Sequence, residues 1–171
     1  GAQKNLGIAG LTIVIVKKEL INDKAKHLPP LLRYESHSLD NSMLNTSPVF
    51  AWYVAGLVFE WIIVKGGLEL MSELNQEKSS LLYDFIDSSE FYKNPVNPKY
   101  RSWVNIPFTL ISNNLDERFL NEASNEGLMN LKGHRTVGGM RASVYNAMPI
   151  EGVKKLIAFM ENFETNNIED V

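Results

Sequence analysis

Residues 131–146 read LKGHRTVGGMRASVYN, and this stretch decides how the second half of the chain is built. Its first part interleaves Lys132, His134 and Arg135 with Gly133, Gly138 and Gly139, a composition that turns the chain rather than extending it. Residues 141–146 then alternate with the two-residue rhythm of a half-buried strand. Pro149 opens a helix whose apolar stripe is Val153, Leu156, Ile157, Met160 and Phe163. Upstream, residues 115–126 form a short helix with Phe119, Leu120 and Ala123 on one face and Gly127 at its end. Residues 103–109, WVNIPFT, read as a strand, and Pro107, which has no N–H to donate, predicts an edge or a bulge. Residues 93–98 are a Pro- and Asn-rich loop. Before it runs a long amphipathic helix over residues 68–88, marked by Leu68, Met71, Leu74, Leu81, Leu82 and Phe85. Helices and strands in alternation predict an α/β fold, with a small open-faced sandwich in the second half.

The first half has a different texture. Residues 11–16, LTIVIV, are β-branched and bounded by Gly10 and Lys17, which predicts a buried strand. Residues 17–47 lack periodicity and carry Pro29-Pro30, so they read as loop with one short extended piece. Residues 48–64, PVFAWYVAGLVFEWIIV, form an apolar helix, with Pro48 at its first position, Ser47 as cap and Gly66-Gly67 at its end. A membrane span needs about 20 apolar residues, and Glu60 interrupts this run before Lys65 closes it, so no membrane partner is expected. A helix apolar all round must be covered, either by sequence outside this chain or by a partner subunit.

Composition narrows the function. The chain has 171 residues, 44% hydrophobic and 22% charged, with a net charge of −3 that supplies no basic field for nucleic acid. With no cysteine there is no disulfide framework and no Cys-ligated zinc or iron–sulfur site, and neither HExxH nor GxSxG occurs. No metal site is expected. The chain reads as a cytoplasmic globular protein, without a targeting segment over residues 1–5. No Met begins it, and GAQK reads as interior sequence, so a piece of a longer protein is expected.

Three constellations carry chemistry. Lys4 sits among small residues just before an apolar run; partial desolvation there would favour the neutral amine that attacks a carbonyl, although the spacing alone favours a surface lysine near the terminus. Residues 131–141 gather four cations and three glycines, either as a solvated basic turn or as an anion cradle in which Arg141 captures a carboxylate. Asn45-Thr46-Ser47-Pro48 opens the apolar helix, either as an ordinary cap or as a phosphate site.

GAQKNLG, SMLNTSP and LKGHRTVGGMRASVYNA, in this order and spacing, closely resemble the phosphoserine aminotransferase family, pyridoxal-phosphate enzymes of aminotransferase class V. The resemblance runs over nearly the whole chain and corresponds to the C-terminal half of the family's length. It implies the C-terminal part of a fold-type I aminotransferase, with residues 1–72 completing a large cofactor domain and residues 73–171 forming the small domain. It further implies that Lys4 forms the Schiff base with pyridoxal 5'-phosphate and that Gln3 lies beside the cofactor phosphate. Asn45 and Thr46 reach the cofactor phosphate of the other subunit in a homodimer whose sites are shared across the interface. Arg141 grips the substrate α-carboxylate, while His134 and Arg135 face the distal phosphate or carboxylate. The implied reaction moves an amino group from glutamate to 3-phosphohydroxypyruvate, giving O-phosphoserine for serine biosynthesis. Related members also serve pyridoxine biosynthesis.

Ile8 and Ser47 depart from the family pattern, which bears on loop shape and not on a reacting atom. The family's acid for the pyridine nitrogen, its stacking Trp and its glycine-rich phosphate loop fall upstream of Gly1. The chain by itself is therefore expected to be an incompetent aminotransferase. The alternatives are another class V aminotransferase with a different acceptor, and a folded, non-catalytic fragment that only associates with a partner.

Overall fold

The computed structural model describes residues 1–168, so residues 169–171, which end the expected second domain, lie outside the described residues. The chain divides into two compact units, Gly1–Val64 and Lys65–Val171.

In the first unit, residues 1–10 fold into a tight loop. The Ala2 N–H donates to the Leu11 carbonyl at 2.7 Å, Lys4 N–H to Gly7 at 3.0 Å and Leu6 N–H to Ala2 at 3.2 Å. A six-residue helix, α1 (Tyr34–Leu39), stands where only loop is expected, and α2 spans Val49–Val64. The 1–10 loop rests on α2 where Ala51 and Ala55 lie one turn apart and are buried. A β-carbon on Gly7 would sit 3.5 Å from the Ala55 Cα, so small residues on both sides permit this backbone approach.

Three expectations for this unit are corrected: the strand over 11–16, the place of Pro48 and the Ser47 cap. Residues 11–16 form no strand: Ile15 is 96% exposed, and among the described residues no backbone hydrogen bond involves residues 12–16. β-Branched residues suit a strand, but a strand exists only where a neighbour completes its ladder, and none is at hand. The apolar helix does form, yet it buries only Ala51, Ala55 and Ile62, leaving Phe50, Tyr53, Ile63 and Val64 exposed. Pro48 precedes the helix rather than starting it, its carbonyl accepting from Trp52 N–H at 3.1 Å. Ser47 does not cap; its hydroxyl donates to Met43 Sδ at 2.8 Å. No single helix among the described residues is long and apolar enough to cross a membrane.

The second unit is an open-faced α/β sandwich, as predicted. The long helix α3 (Gly67–Ser88) leads to an antiparallel sheet ordered β1 (Tyr92–Lys93), β2 (Asn105–Leu110), β3 (Met140–Ser143). Helix α4 (Asp116–Asn125) links β2 towards β3, and α5 (Ile150–Asn167) follows β3. Alternation along β2 and β3 sends Ile106, Phe108, Leu110, Met140 and Ala142 into the core, where they meet Leu82 and Ile86 of α3, Phe119 of α4 and Met160 of α5. Phe119 is the hub: its ring lies 5.1 Å from Phe159 and Phe163, 5.9 Å from Phe108 and 6.2 Å from Tyr92, mostly edge-on.

The buried face of α3 differs from the predicted stripe. Leu68 and Leu74 are exposed, whereas Met71, Asn75, Lys78, Leu82 and Ile86 turn inward. Lys78 is 3% exposed, and its ammonium donates to the carbonyls of Tyr145 (2.9 Å) and Met148 (3.0 Å), pinning the turn between β3 and α5. Burial lowers its pKa. Pro107 lies in the central strand, against the expectation of an edge. It is tolerated because it opposes Arg141 in a pair whose N–H groups point away from each other: Arg141 N–H donates to Leu131 at 2.7 Å. The other side of Pro107 looks past the end of the two-residue β1, where Asn94 Nδ2 donates to its carbonyl at 2.6 Å. The Pro107 position is thus locally an edge inside a central strand.

Arg101 anchors the segment before β2 to α3, donating from Nη2 to Asp87 Oδ1 at 2.8 Å with its guanidinium 4.6 Å from the Tyr83 ring centroid. That hydrogen bond holds the Asp87 carboxyl below its ordinary range.

Two predictions follow from the packing. Phe119→Ala, which empties the hub, costs about 3–5 kcal/mol of unfolding free energy in urea titration; a cost under about 1 kcal/mol would be that of a surface site. Asp87→Asn costs about 0.5 kcal/mol near neutral pH, since the pair is partly solvated. Because the folded carboxyl titrates below the unfolded one, this contribution is present above the ordinary pKa of 3.8 and lost as pH falls through the lower folded value. The difference between the two proteins should vanish in strong acid; a difference that persists there would mean the loss is steric.

Candidate active site

Each unit carries its own share of the predicted site residues. In the first, the tight 1–10 loop forces Lys4 to φ +96°, a left-handed backbone that a non-glycine residue rarely holds. Such strain persists only where the surroundings impose it, here through the Lys4–Gly7 hydrogen bond and the packing on Ala55. Gln3 and Lys4 are exposed, so the expected partial desolvation of Lys4 is absent in this chain. The elements that flank the loop, residues 12–16, are themselves uncovered and supply no low-dielectric wall. Asn45 and Thr46 lie together just before α2 and line a cleft of about 550 Å³ with Thr12, His37 and Trp52. Gln3 and Lys4 do not line that cleft.

In the second unit, His134 and Arg135 line a cleft of about 610 Å³ together with Lys132, Asp116 and Glu117. The loop that presents them is pinched shut: Gly133 N–H donates to Gly139 at 2.8 Å, and the His134 carbonyl accepts from Val137 at 3.0 Å and Gly138 at 2.8 Å. A β-carbon on Gly133 would stand 2.0 Å from the Gly138 carbonyl oxygen, so only glycine closes this loop. The Thr136 N–H points to His134 Nδ1 at 3.3 Å, and the Thr136 hydroxyl lies 2.7 Å from the same nitrogen. With Nδ1 accepting, the neutral imidazole carries its proton on Nε2, ready to donate to an anion.

Arg141 sits elsewhere in this unit. The sheet's alternation turns it away from the core, half-buried, and it does not line the His134 cleft. Its Nε is buried without a hydrogen-bond partner among the described residues. A buried guanidinium N–H without an acceptor is costly, and an incoming carboxylate removes that cost.

Asp116 and Glu117 were not singled out in the sequence, because acids at the first turn of a helix are explained by the helix dipole alone. The Asp116 Oδ1 is buried without a partner among the described residues, and desolvation raises the carboxyl's pKa. Lys78 and Asn75 were missed for another reason: polar residues on a buried helix face carry no local signal of the partners they reach. Among the described residues no group of three His, Cys, Asp or Glu side chains could hold a metal ion.

The model of the family "Aminotransferase class-V" matches residues 1–156. The phosphoserine aminotransferase of Hahella chejuensis is 53% identical over 98% of this chain and 46% of its own length, and that of Idiomarina loihiensis is 54% identical over 96% and 45%. Among solved structures, the phosphoserine aminotransferase of Bacillus circulans subsp. alkalophilus superposes with a TM-score of 0.92 at 46% identity, over 98% of this chain and 46% of its own. The pyridoxal-phosphate-bound phosphoserine aminotransferase of Trichomonas vaginalis gives 0.73 at 40% identity, over 78% and 39%. The chain thus spans about half the length of the curated relatives it matches, and its α/β architecture is that of the C-terminal part of fold-type I aminotransferases, as the resemblance implies. Both by family model and by identity, the chain belongs to the class-V aminotransferases.

Proposed function

We propose that this chain is part of a phosphoserine aminotransferase that moves an amino group between glutamate and 3-phosphohydroxypyruvate. What carries the reading is identity above 50% to proteins of that name across nearly the entire chain. Lys4 holds pyridoxal 5'-phosphate through its ε-amine, with Gln3 beside the phosphate; a lysine kept at φ +96° on an otherwise small-residue loop supports that role. Asn45 and Thr46 bring a side-chain amide and a hydroxyl to the phosphate of a second copy, and both already line one cleft. When bound, the cofactor supplies an aldehyde that captures amines and a ring that accepts the electron pair left at Cα. The chain's own residues bind, orient and move the proton. Arg141 takes the substrate α-carboxylate, and its unpartnered Nε supports this. His134 Nε2–H and the Arg135 guanidinium bind the distal phosphate or carboxylate. The Lys4 amine accepts the proton from the substrate Cα and returns it on the other side of the transfer.

We place the remainder of the large cofactor domain in residues 1–72 and the small domain in residues 73–171, a boundary that falls within α3. The assembly proposed is a homodimer with shared sites in the cytoplasm, serving serine biosynthesis and also pyridoxine biosynthesis. The exposed Phe50, Tyr53 and Ile63 of α2 support an assembly in which that helix is covered.

Two measurements test this reading. After addition of pyridoxal phosphate and borohydride reduction, peptide mapping should find the cofactor on Lys4 ahead of the other lysines; labelling spread evenly over exposed lysines refutes the role of Lys4. Arg135→Ala should weaken O-phosphoserine binding about 10–100-fold, the worth of one hydrogen bond between charged groups, and glutamate binding far less. Equal loss for both ligands would favour a class V aminotransferase with a different acceptor.

A further inference from the structure

The outer face of the sheet carries a second donor beside Arg141. In the β2–β3 register Asn105 opposes Ser143 and Pro107 opposes Arg141, so Asn105 and Arg141 share the half-buried face, diagonal to each other. Diagonal neighbours of this kind have Cα atoms about 7–8 Å apart, within reach for a long side chain. The Tyr145 hydroxyl donates to Asn105 Oδ1 at 3.2 Å. With the hydroxyl donating, Oδ1 is occupied, and Nδ2 carries its two N–H groups, open to solvent, with no acceptor among the described residues. Arg141 Nε, on the same face, is buried and also has no acceptor among the described residues. Two unpaired donors, one cationic and one neutral, are left side by side where core packing forbids them to turn inward.

We propose that Asn105 is a second carboxylate-binding residue, donating through Nδ2 to the anion held by Arg141 and kept in that orientation by Tyr145. The inference rests on the reading of Arg141 as the carboxylate site. Charge selects the ligand group. One guanidinium and one neutral amide offer a single positive charge with directional donors, which suits a carboxylate monoanion. A phosphate dianion is better served by Lys132, His134 and Arg135 in the separate cleft. A neutral second donor also avoids the repulsion that a second cation would add next to Arg141. The sequence carries no mark of this role, because Asn105 lies 36 positions before Arg141 and only the strand register brings them together.

The test is titration of the isotope-labelled chain with glutarate, a dicarboxylate without an amine, followed by NMR at the Asn105 Nδ2 and Arg141 Nε protons. Both signals should shift with one dissociation constant. Asn105→Ala and Asn105→Asp should each raise that constant about tenfold, and Tyr145→Phe, which only frees the amide to turn, about threefold. Unchanged amide signals of Ile106 and Phe108 in each variant establish that β2 is intact. If Arg141→Lys abolishes binding while all three other variants bind as the unaltered chain does, the role of Asn105 is overturned and the reading of Arg141 stands. If Arg141→Lys binds normally as well, or neither signal shifts in the unaltered chain, the reading of Arg141 falls and takes the inference with it.

Discussion

The alternation of side chains along β2 and β3 is the constraint on which the second unit depends. Ile106, Phe108, Met140 and Ala142 must face the aromatic core around Phe119, because burying such side chains is worth roughly 1.5–3 kcal/mol each for the larger ones. The pleat then leaves Asn105, Pro107, Arg141 and Ser143 no choice but the opposite face. A core requirement therefore places a guanidinium and an amide on an open surface. The carboxylate binding proposed for that face would inherit its geometry from hydrophobic packing. Lys78, reaching from α3 to the carbonyls of Tyr145 and Met148, holds the turn just beyond β3, so the strand bearing Arg141 is fixed at its C-terminal end.

Loops are handled differently from the core. The His134 loop is closed by backbone hydrogen bonds that demand glycine at position 133, and the Lys4 loop carries a strained backbone at Lys4 itself. In each, the side chain expected to do chemistry is presented by a hydrogen-bonded turn rather than by a helix or strand. Opposite charges share the His134 cleft, where Asp116 and Glu117 face a region otherwise rich in cations. Burial raises the pKa of the Asp116 carboxyl among them.

The first unit is less self-sufficient. α2 buries only two alanines and one isoleucine, and residues 12–16 form no ladder. The physical demand of those segments is for apolar contact and for strand neighbours, and the unit does not supply either. The exposure of Lys4 belongs to the same picture, since a lysine is desolvated only by walls that pack around it.

Much of this was legible in the residues. The helices over 49–64, 67–88 and 150–167 followed from apolar spacing and from Pro and Gly at their ends, all local properties. The motifs GAQKNLG, SMLNTSP and LKGHRTVGGMRASVYNA pointed to the aminotransferase family by resemblance, whereas residue chemistry alone left each open to an ordinary structural role. Local pattern could not say whether LTIVIV would find a partner strand, which face of α3 would turn inward, or that Pro107 would sit in a central strand beside a ladder that ends early. Those outcomes depend on neighbours distant in the chain. The pairing of Asn105 with the face of Arg141 is of the same kind: the residue types were set by the sequence, but their juxtaposition was decided by strand register, which is a property of packed tertiary structure.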